Sequence, residues 1–285
     1  MKKYELTDDS ITFMGRKLFR IRAIRSFNDV AAGDLGGYVE KEENLSHDDD
    51  AWISGKARIY GYARIYGDAR ISGNACISGD ACISGDACMS DNACISGNAC
   101  ISGNACISDY ACISGNACIS GDACISDNAC ISGNARISDY ACISGNACIS
   151  DYARISDYAC IYDYARISDY ARIYGNARIS DYARISGNAR ISGNTCINCY
   201  ACICDDAWIH SGADYLCFQG LGSKNRNTTF FKCEDGHIHV SCGCLSGNLA
   251  EFETTVKETH GDNKYAKEYL ACIEVVKIHF EEEKK

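Results

Sequence analysis

Between Ala51 and Gly212 the chain repeats every six residues without an insertion or deletion. An isoleucine recurs from Ile53, Ile59 and Ile65 through Ile203 and Ile209, with Met89 the only substitute in that register. Two residues before each stands a small residue, nearly always alanine, from Ala51 and Ala57 to Ala207, with Thr195 the exception. Positions two apart face the same side of an extended chain, so Ala-x-Ile makes one short inward face and the residue between points out. The pair that follows is Gly-Asn, Gly-Asp, Asp-Tyr or Asp-Asn, residues that tolerate the left-handed backbone of a sharp corner. Identical strands joined by identical bends wind one way and stack in parallel at about 4.8 Å, so a solenoid is expected rather than a stack of hairpins. Each buried isoleucine contributes roughly 1.5 to 3 kcal/mol, enough in sum to hold the fold without disulfide or metal.

The Ile-x-x-x-Ala-x pattern resembles the hexapeptide repeat of left-handed parallel β-helices. That resemblance implies a mainly β fold, a left-handed β-helix of about nine triangular coils with three hexapeptides each, roughly 43 Å long at the strand spacing above. It also implies that Ile53, Ile71 and Met89 begin one face, Ile59 a second and Ile65 a third.

Three segments follow: residues 1–50 as a small β cap, 51–212 as the β-helix and 213–285 as a carboxy-terminal α+β module. In the first, Tyr4 to Phe13 and Lys17 to Ile24 read as strands around Met14-Gly15-Arg16. Phe27-Asn28-Asp29-Val30, Gly36-Gly37-Tyr38-Val39, Leu45-Ser46 and Asp50-Ala51-Trp52-Ile53 are similar to the start of bacterial hexapeptide proteins of the YdcK type, often described as transferase-like. Similar proteins are common in phages and prophages, so the resemblance implies a phage-associated protein. In the last segment, Asp214 to Gly220 reads as a strand, and Thr228 to Glu234 with His237 to Cys242 as a hairpin over Asp235-Gly236. Asn248 and Glu251 form a capping box for a helix that Gly261 ends. A second helix from about Asn263 carries Tyr265, Tyr269, Cys272, Ile273, Val276 and Phe280 at helical spacing. This ββαα module, with Thr228-Thr229-Phe230-Phe231-Lys232 and Ser241-Cys242-Gly243-Cys244, resembles one that accompanies hexapeptide arrays in phage and Firmicutes proteins.

The net charge of -10 argues against a general nucleic-acid partner, and the chain has no proline to interrupt its ladders. No apolar run reaches membrane length and the start, MKKYELTDDS, is no signal peptide, so neither a membrane partner nor export is expected and the cytoplasm is the expected location. Of 22 cysteines, fifteen hold the position before the inward isoleucine, from Cys76 to Cys202. They face out in ladders with Cβ atoms about 4.8 Å apart, beyond the usual disulfide range, so free thiols are expected. A flat single file offers no tetrahedral pocket, which disfavours a metal array.

Arg136, Arg154, Arg172 and Arg190 stack on the third face beside Asp139, Asp157, Tyr140 and Tyr158. They are either a binding strip for an anionic partner or a solvated ladder relieved by the corner aspartates, and exposed pairs being weak, the second reading is preferred. Hexapeptide acyltransferases need a histidine base on a coil and an extruded loop; no histidine lies between His47 and His210 and the register never breaks. Site chemistry concentrates in Cys233, Cys242, Cys244, His237, His239, His260 and Asp262. Cys242, Cys244, His260 and Asp262 are the candidate catalytic residues, but Cys-x-Cys lacks the paired Cys-x-x-Cys spacing of a zinc site, and no metal or cofactor is expected. The reading is a non-catalytic structural or binding solenoid whose terminal module, through Phe230, Phe231 and the last helix, either covers the open strand edge or meets a protein partner or a second copy. Its oligomeric state is left open; an acyltransferase-like enzyme is the alternative, and a regular-surface binder of the ice-lattice kind a weaker third.

Overall fold

The computed structural model describes residues 2–281. The chain divides into two compact units, Met1–Asp157 and Tyr158–Lys285.

In the first unit, β1 (Tyr4–Phe13) and β2 (Arg16–Ala23) form an antiparallel hairpin. Met14 and Gly15 link them at φ 48° and 76°, the double positive φ that a two-residue hairpin turn requires. β2 pairs with β3 (Leu35–Val39), and β3 runs parallel to Arg58–Ile59, which ties the hairpin to the solenoid. From there on every repeat gives a two-residue strand that pairs in parallel with the strand one turn ahead: Cys88–Met89 with Cys106–Ile107, Cys94–Ile95 with Cys112–Ile113, Cys100–Ile101 with Cys118–Ile119. Three parallel sheets result, with isoleucine and alanine inside at no more than 1% exposure from Ala51 to Ile155 and the intervening cysteine or arginine outside.

The winding starts earlier than the hexapeptides. Val39 pairs with Ile59 and Leu45 with Ile65, both steps of 20 residues instead of 18, and both side chains are buried. A 3-10 turn over Glu42–Asn44 takes up the extra length, and the Asn44 amide donates to the Gly61 and Ala63 carbonyls at 3.3 and 2.8 Å. The chain therefore has about ten turns of solenoid, where the repeats alone suggest about nine. Under the first turn lies Lys3, fully buried, whose ammonium donates to the carbonyls of Asp49 (2.7 Å) and Ala51 (2.8 Å) with the Asp49 carboxylate at 3.5 Å. Backbone acceptors that an open start would leave unpaired are satisfied from within the chain.

The corners explain the alternation of glycine and aspartate. Gly79 sits at φ 71°, and a Cβ there would lie 2.5 Å from the Gly97 carbonyl oxygen of the next turn. Aspartates hold the same corner at φ 54° to 59°, and their carboxylates accept the corner amide one turn on: Asp109 from Asp127 at 3.3 Å, Asp127 from Gly145 at 3.0 Å. Asp139 accepts the Asp157 amide at 3.4 Å in the same way, while Asp91 and Asp151 accept from the preceding serine hydroxyls, Ser90 and Ser150, at 2.8 Å.

In the second unit the same winding runs from Cys160–Ile161 to Trp208–Ile209. A four-stranded antiparallel sheet follows: Tyr215–Leu221, Arg226–Lys232, Ile238–Cys242 and Leu245–Asn248. The last of these strands was not expected; it runs directly into α1 (Leu249–His260), which carries the expected capping box, and α2 (Lys264–Phe280) follows. The hairpin over Asp235-Gly236 closes differently from a two-residue turn. The Cys233 amide donates to the His237 carbonyl and the Gly236 amide to that of Cys233, both at 3.0 Å, so three residues form the loop, with Gly236 at φ 87°. Both helices pack on one sheet face around Phe230, Val240, Phe252, Val256, Tyr269, Ile273 and Val276. No helix among the described residues is long and apolar enough to cross a membrane.

Candidate functional site

Where the solenoid ends, the terminal sheet covers its last turn. The Cys202 amide donates to Thr229 Oγ1 at 2.9 Å, the Glu234 amide to the Asp206 carbonyl at 3.1 Å, and Ala207 bridges to Cys233. Along Arg226–Lys232 side chains alternate, so Phe230 joins the helix-side core while Phe231 shares the solenoid side with Thr229. Both rings are fully buried. Neither can meet an outside partner, and the expectation that they carry intermolecular contacts is corrected: one is core and the other lies in the seal. At the same joint Asp214 accepts the amides of His210 and Ser211, both at 2.9 Å, with the Lys232 ammonium at 3.4 Å. Arg190 of the third-face ladder pairs with Glu234 of the hairpin loop at 2.9 Å.

This joint assembles a cluster of donor atoms from both sides. Asp205 stands at the corner of the last turn with Cys204 before it, and across from them His239 and Ser246 project from adjacent strands of the sheet. His239 Nε2 lies 2.8 Å from Ser246 Oγ and 3.1 Å from Asp205 Oδ2. Ser246 Oγ donates to Asp205 Oδ2 at 3.2 Å, and Cys204 Sγ lies 3.2 Å from Asp205 Oδ2 and 3.6 Å from Ser246 Oγ. The His239 ring stacks on Phe231 with centroids 5.1 Å apart. Cys233 and His237 approach the same histidine from the hairpin.

The protonation pattern speaks against a nucleophile. Burial lowers the basicity of His239, and burial together with the Asp205 carboxylate pushes the Cys204 thiol up to about 12. Burial and the nearby Asp235, Asp205 and Asp206 carboxylates push Cys233 up to about 12 as well. Serine and aspartate also meet His239 at the same ring nitrogen, whereas a proton relay needs them at opposite nitrogens.

The other candidates scatter. Cys242 and His260 line one small cavity of about 80 Å³ with Arg226, Phe252 and Tyr269. Cys242 there accepts from Thr228 Oγ1 at 3.1 Å, and His260 stacks on Tyr269 at 5.8 Å, so each is engaged as a core neighbour. Cys244 is exposed, and neither it nor Asp262 lines that cavity. Arg136 pairs in register with Arg154, and Arg172 with Arg190, with partly or fully exposed side chains as expected. All 22 cysteines are free thiols. In the ladder at Cys76, Cys94 and Cys112 the Cys94 thiol, the Tyr60 hydroxyl and the Arg58 charge favour the Cys76 thiolate and lower its pKa to about 6. Corner tyrosines Tyr164, Tyr182 and Tyr200 stack on one another at 5.0 and 4.8 Å, which fits edge shielding.

Cys204, Asp205 and Ser246 escaped the sequence analysis because the first two sit in register with the repeats. A signal was present: Cys204 replaces the usual serine after the isoleucine, and Cys199 occupies a glycine or aspartate corner at φ 59°.

Parallel winding on three sheets makes the chain a β-solenoid protein. A family model described as the YdcK beta solenoid repeat matches residues 63–79, 171–183 and 183–197, all within the repeats. Comparison with curated proteins finds no match. Among solved structures the chain is similar to UDP-N-acetylglucosamine acyltransferase from Campylobacter jejuni, at 17% identity over 87% of this chain and 90% of that one, with a TM-score of 0.33. At that level the likeness carries no argument about activity.

Proposed function

We propose that the chain is a structural and binding solenoid rather than a catalyst, with residues 213–285 as the module that closes it and meets its partner. One observation carries the reading: the strand Arg226–Lys232 lies against the last turn with Thr229 and the buried Phe231 facing it, so the module is built to cover an edge. An uncovered parallel edge invites end-to-end pairing. Contact with a partner falls to the outer side of α2, where Val275 and Ile278 are 50% and 70% exposed. Acyl transfer would need a histidine base and a pocket-forming loop on the turns, and residues 57–207 supply neither. The likeness of the amino-terminal motifs to phage and prophage proteins supports a setting of that kind for the assembly.

Light scattering on the full chain and on residues 1–212 tests this. Polymerisation of the shortened chain is expected, and loss of a defined oligomer would place the contact in the module. An unchanged oligomeric state that keeps every partner seen in pull-downs would refute it.

A further inference from the structure

Cys204, Asp205, His239 and Ser246 bring together one sulfur, one imidazole nitrogen and two oxygens. Five of the six separations among these atoms are 2.8, 3.1, 3.2, 3.2 and 3.6 Å, and the Cys204–His239 pair closes within 4.8 Å. A tetrahedral ion with bonds of about 2.0 to 2.3 Å needs ligand atoms roughly 3.3 to 3.8 Å apart. Four of these separations lie in or close to that window, the His239–Ser246 pair is shorter and the Cys204–His239 pair is the loosest, so rotation of the Cys204 and Ser246 side chains would bring the atoms to the vertices of such a site. The mixture of thiol and imidazole selects a zinc-class ion over calcium or magnesium.

We propose that Cys204 Sγ, the Asp205 carboxylate and His239 Nε2 bind one divalent transition-metal ion of the zinc class, with Ser246 Oγ or a water in the fourth position. Binding forms a metal–sulfur bond and releases the Cys204 thiol proton to solvent, with no change of oxidation state. Cys204 and Asp205 belong to the last solenoid turn and His239 to the module, so the ion clamps one to the other. The proposal rests on the capping reading and gives the cap a metal-dependent latch. Phe231, stacked on the imidazole, holds the ligand in place as outer-shell partners of metal sites do. A second set, Cys233, His237 and His239, shares the histidine. It is the poorer one: the His237 side chain is 43% exposed, and its Nδ1 is engaged by Asp235.

The test uses the full chain, reduced, stripped with a chelator and titrated with Co²⁺ as a spectroscopic probe. The expected result is the visible band set of a tetrahedral cobalt site with a thiolate-to-cobalt band, saturating at one equivalent, and a rise in melting temperature with Zn²⁺. Cys204→Ser and His239→Gln should each weaken binding by at least about tenfold. Cys233→Ser and, as a control for the exposed ladders, Cys118→Ser should leave the visible bands intact. Far-ultraviolet circular dichroism and light scattering on each variant confirm that it folds. Absence of tetrahedral bands in the parent chain, their survival in folded Cys204→Ser, or their loss with Cys233→Ser would overturn the assignment. Such a failure with unchanged light scattering leaves the capping reading intact, because covering the edge depends on Thr229 and Phe231.

Discussion

Replacing Ile119 tests the solenoid where its packing is most regular. The side chain is 0% exposed and lies in register between Ile101 and Ile137 of the neighbouring turns. Ile119→Ala removes three carbons, worth about 2.4 kcal/mol at ~0.8 kcal/mol per buried methylene. The remaining cavity brings the expected loss into the range of about 2 to 5 kcal/mol. Ile119→Val should cost only about 0.5 to 1.5 kcal/mol. Ile119→Asp should cost still more than alanine, because a carboxyl group would be buried among isoleucines without a partner. Ser120 follows on the outward side, half-buried, and its amide bonds to Ile137 whatever its side chain, so Ser120→Asp should change stability by under about 0.5 kcal/mol. Each turn leans mainly on its neighbours, so hydrogen exchange in Ile119→Ala should rise first in amides of the mutated turn and the flanking ones, such as Cys118, Cys100 and Arg136. Chemical denaturation followed by circular dichroism, with exchange read by mass spectrometry, measures both. A loss below about 1 kcal/mol for alanine, or equal losses for Ile119→Asp and Ser120→Asp, would refute the inward isoleucine ladder as the main source of stability.

The corner mechanism predicts an inverted ranking at Gly79: Gly79→Ala should destabilise by more than about 1 kcal/mol, since alanine is strained at positive φ. Gly79→Asp should cost less, because its carboxylate can accept the Gly97 amide as Asp127 accepts that of Gly145; thermal melts giving the opposite order would refute the mechanism. At the joint, burial pushes the Asp214 carboxyl up, but the amides of His210 and Ser211 and the Lys232 ammonium outweigh it and hold its pKa below the ordinary value. The folded value being the lower one, its contribution to stability is present above about pH 4 and lost as pH falls through the folded value. Asp214→Asn should therefore be less stable at neutral pH and show a flatter loss in acid, followed by the fluorescence of nearby Trp208; identical acid profiles would refute it.

A strict six-residue period with Ala-x-Ile inside made the parallel winding, the inward ladder, the outward thiols and the corner chemistry legible in the sequence. Each depends on strand alternation and backbone sterics, which are local and repeat with the residues. Capping of α1 by Asn248 and Glu251 was legible for the same reason. The extra turn over residues 35–50 was not, because Val39 and Leu45 reach their places by 20-residue steps that no hexapeptide count reveals. Phe230 and Phe231 look alike in the sequence, and only the position of the last turn against one sheet face and the helices against the other assigns them to seal and core. The cluster at Asp205 and His239 lies furthest beyond sequence reasoning. Its residues are 34 positions apart, with Cys204 in register with the repeats and Ser246 on an unexpected strand. Donor atoms so separated converge only when the sheet docks on the last turn, and docking is decided by the burial of an open strand edge, a tertiary event with no periodic trace in the chain.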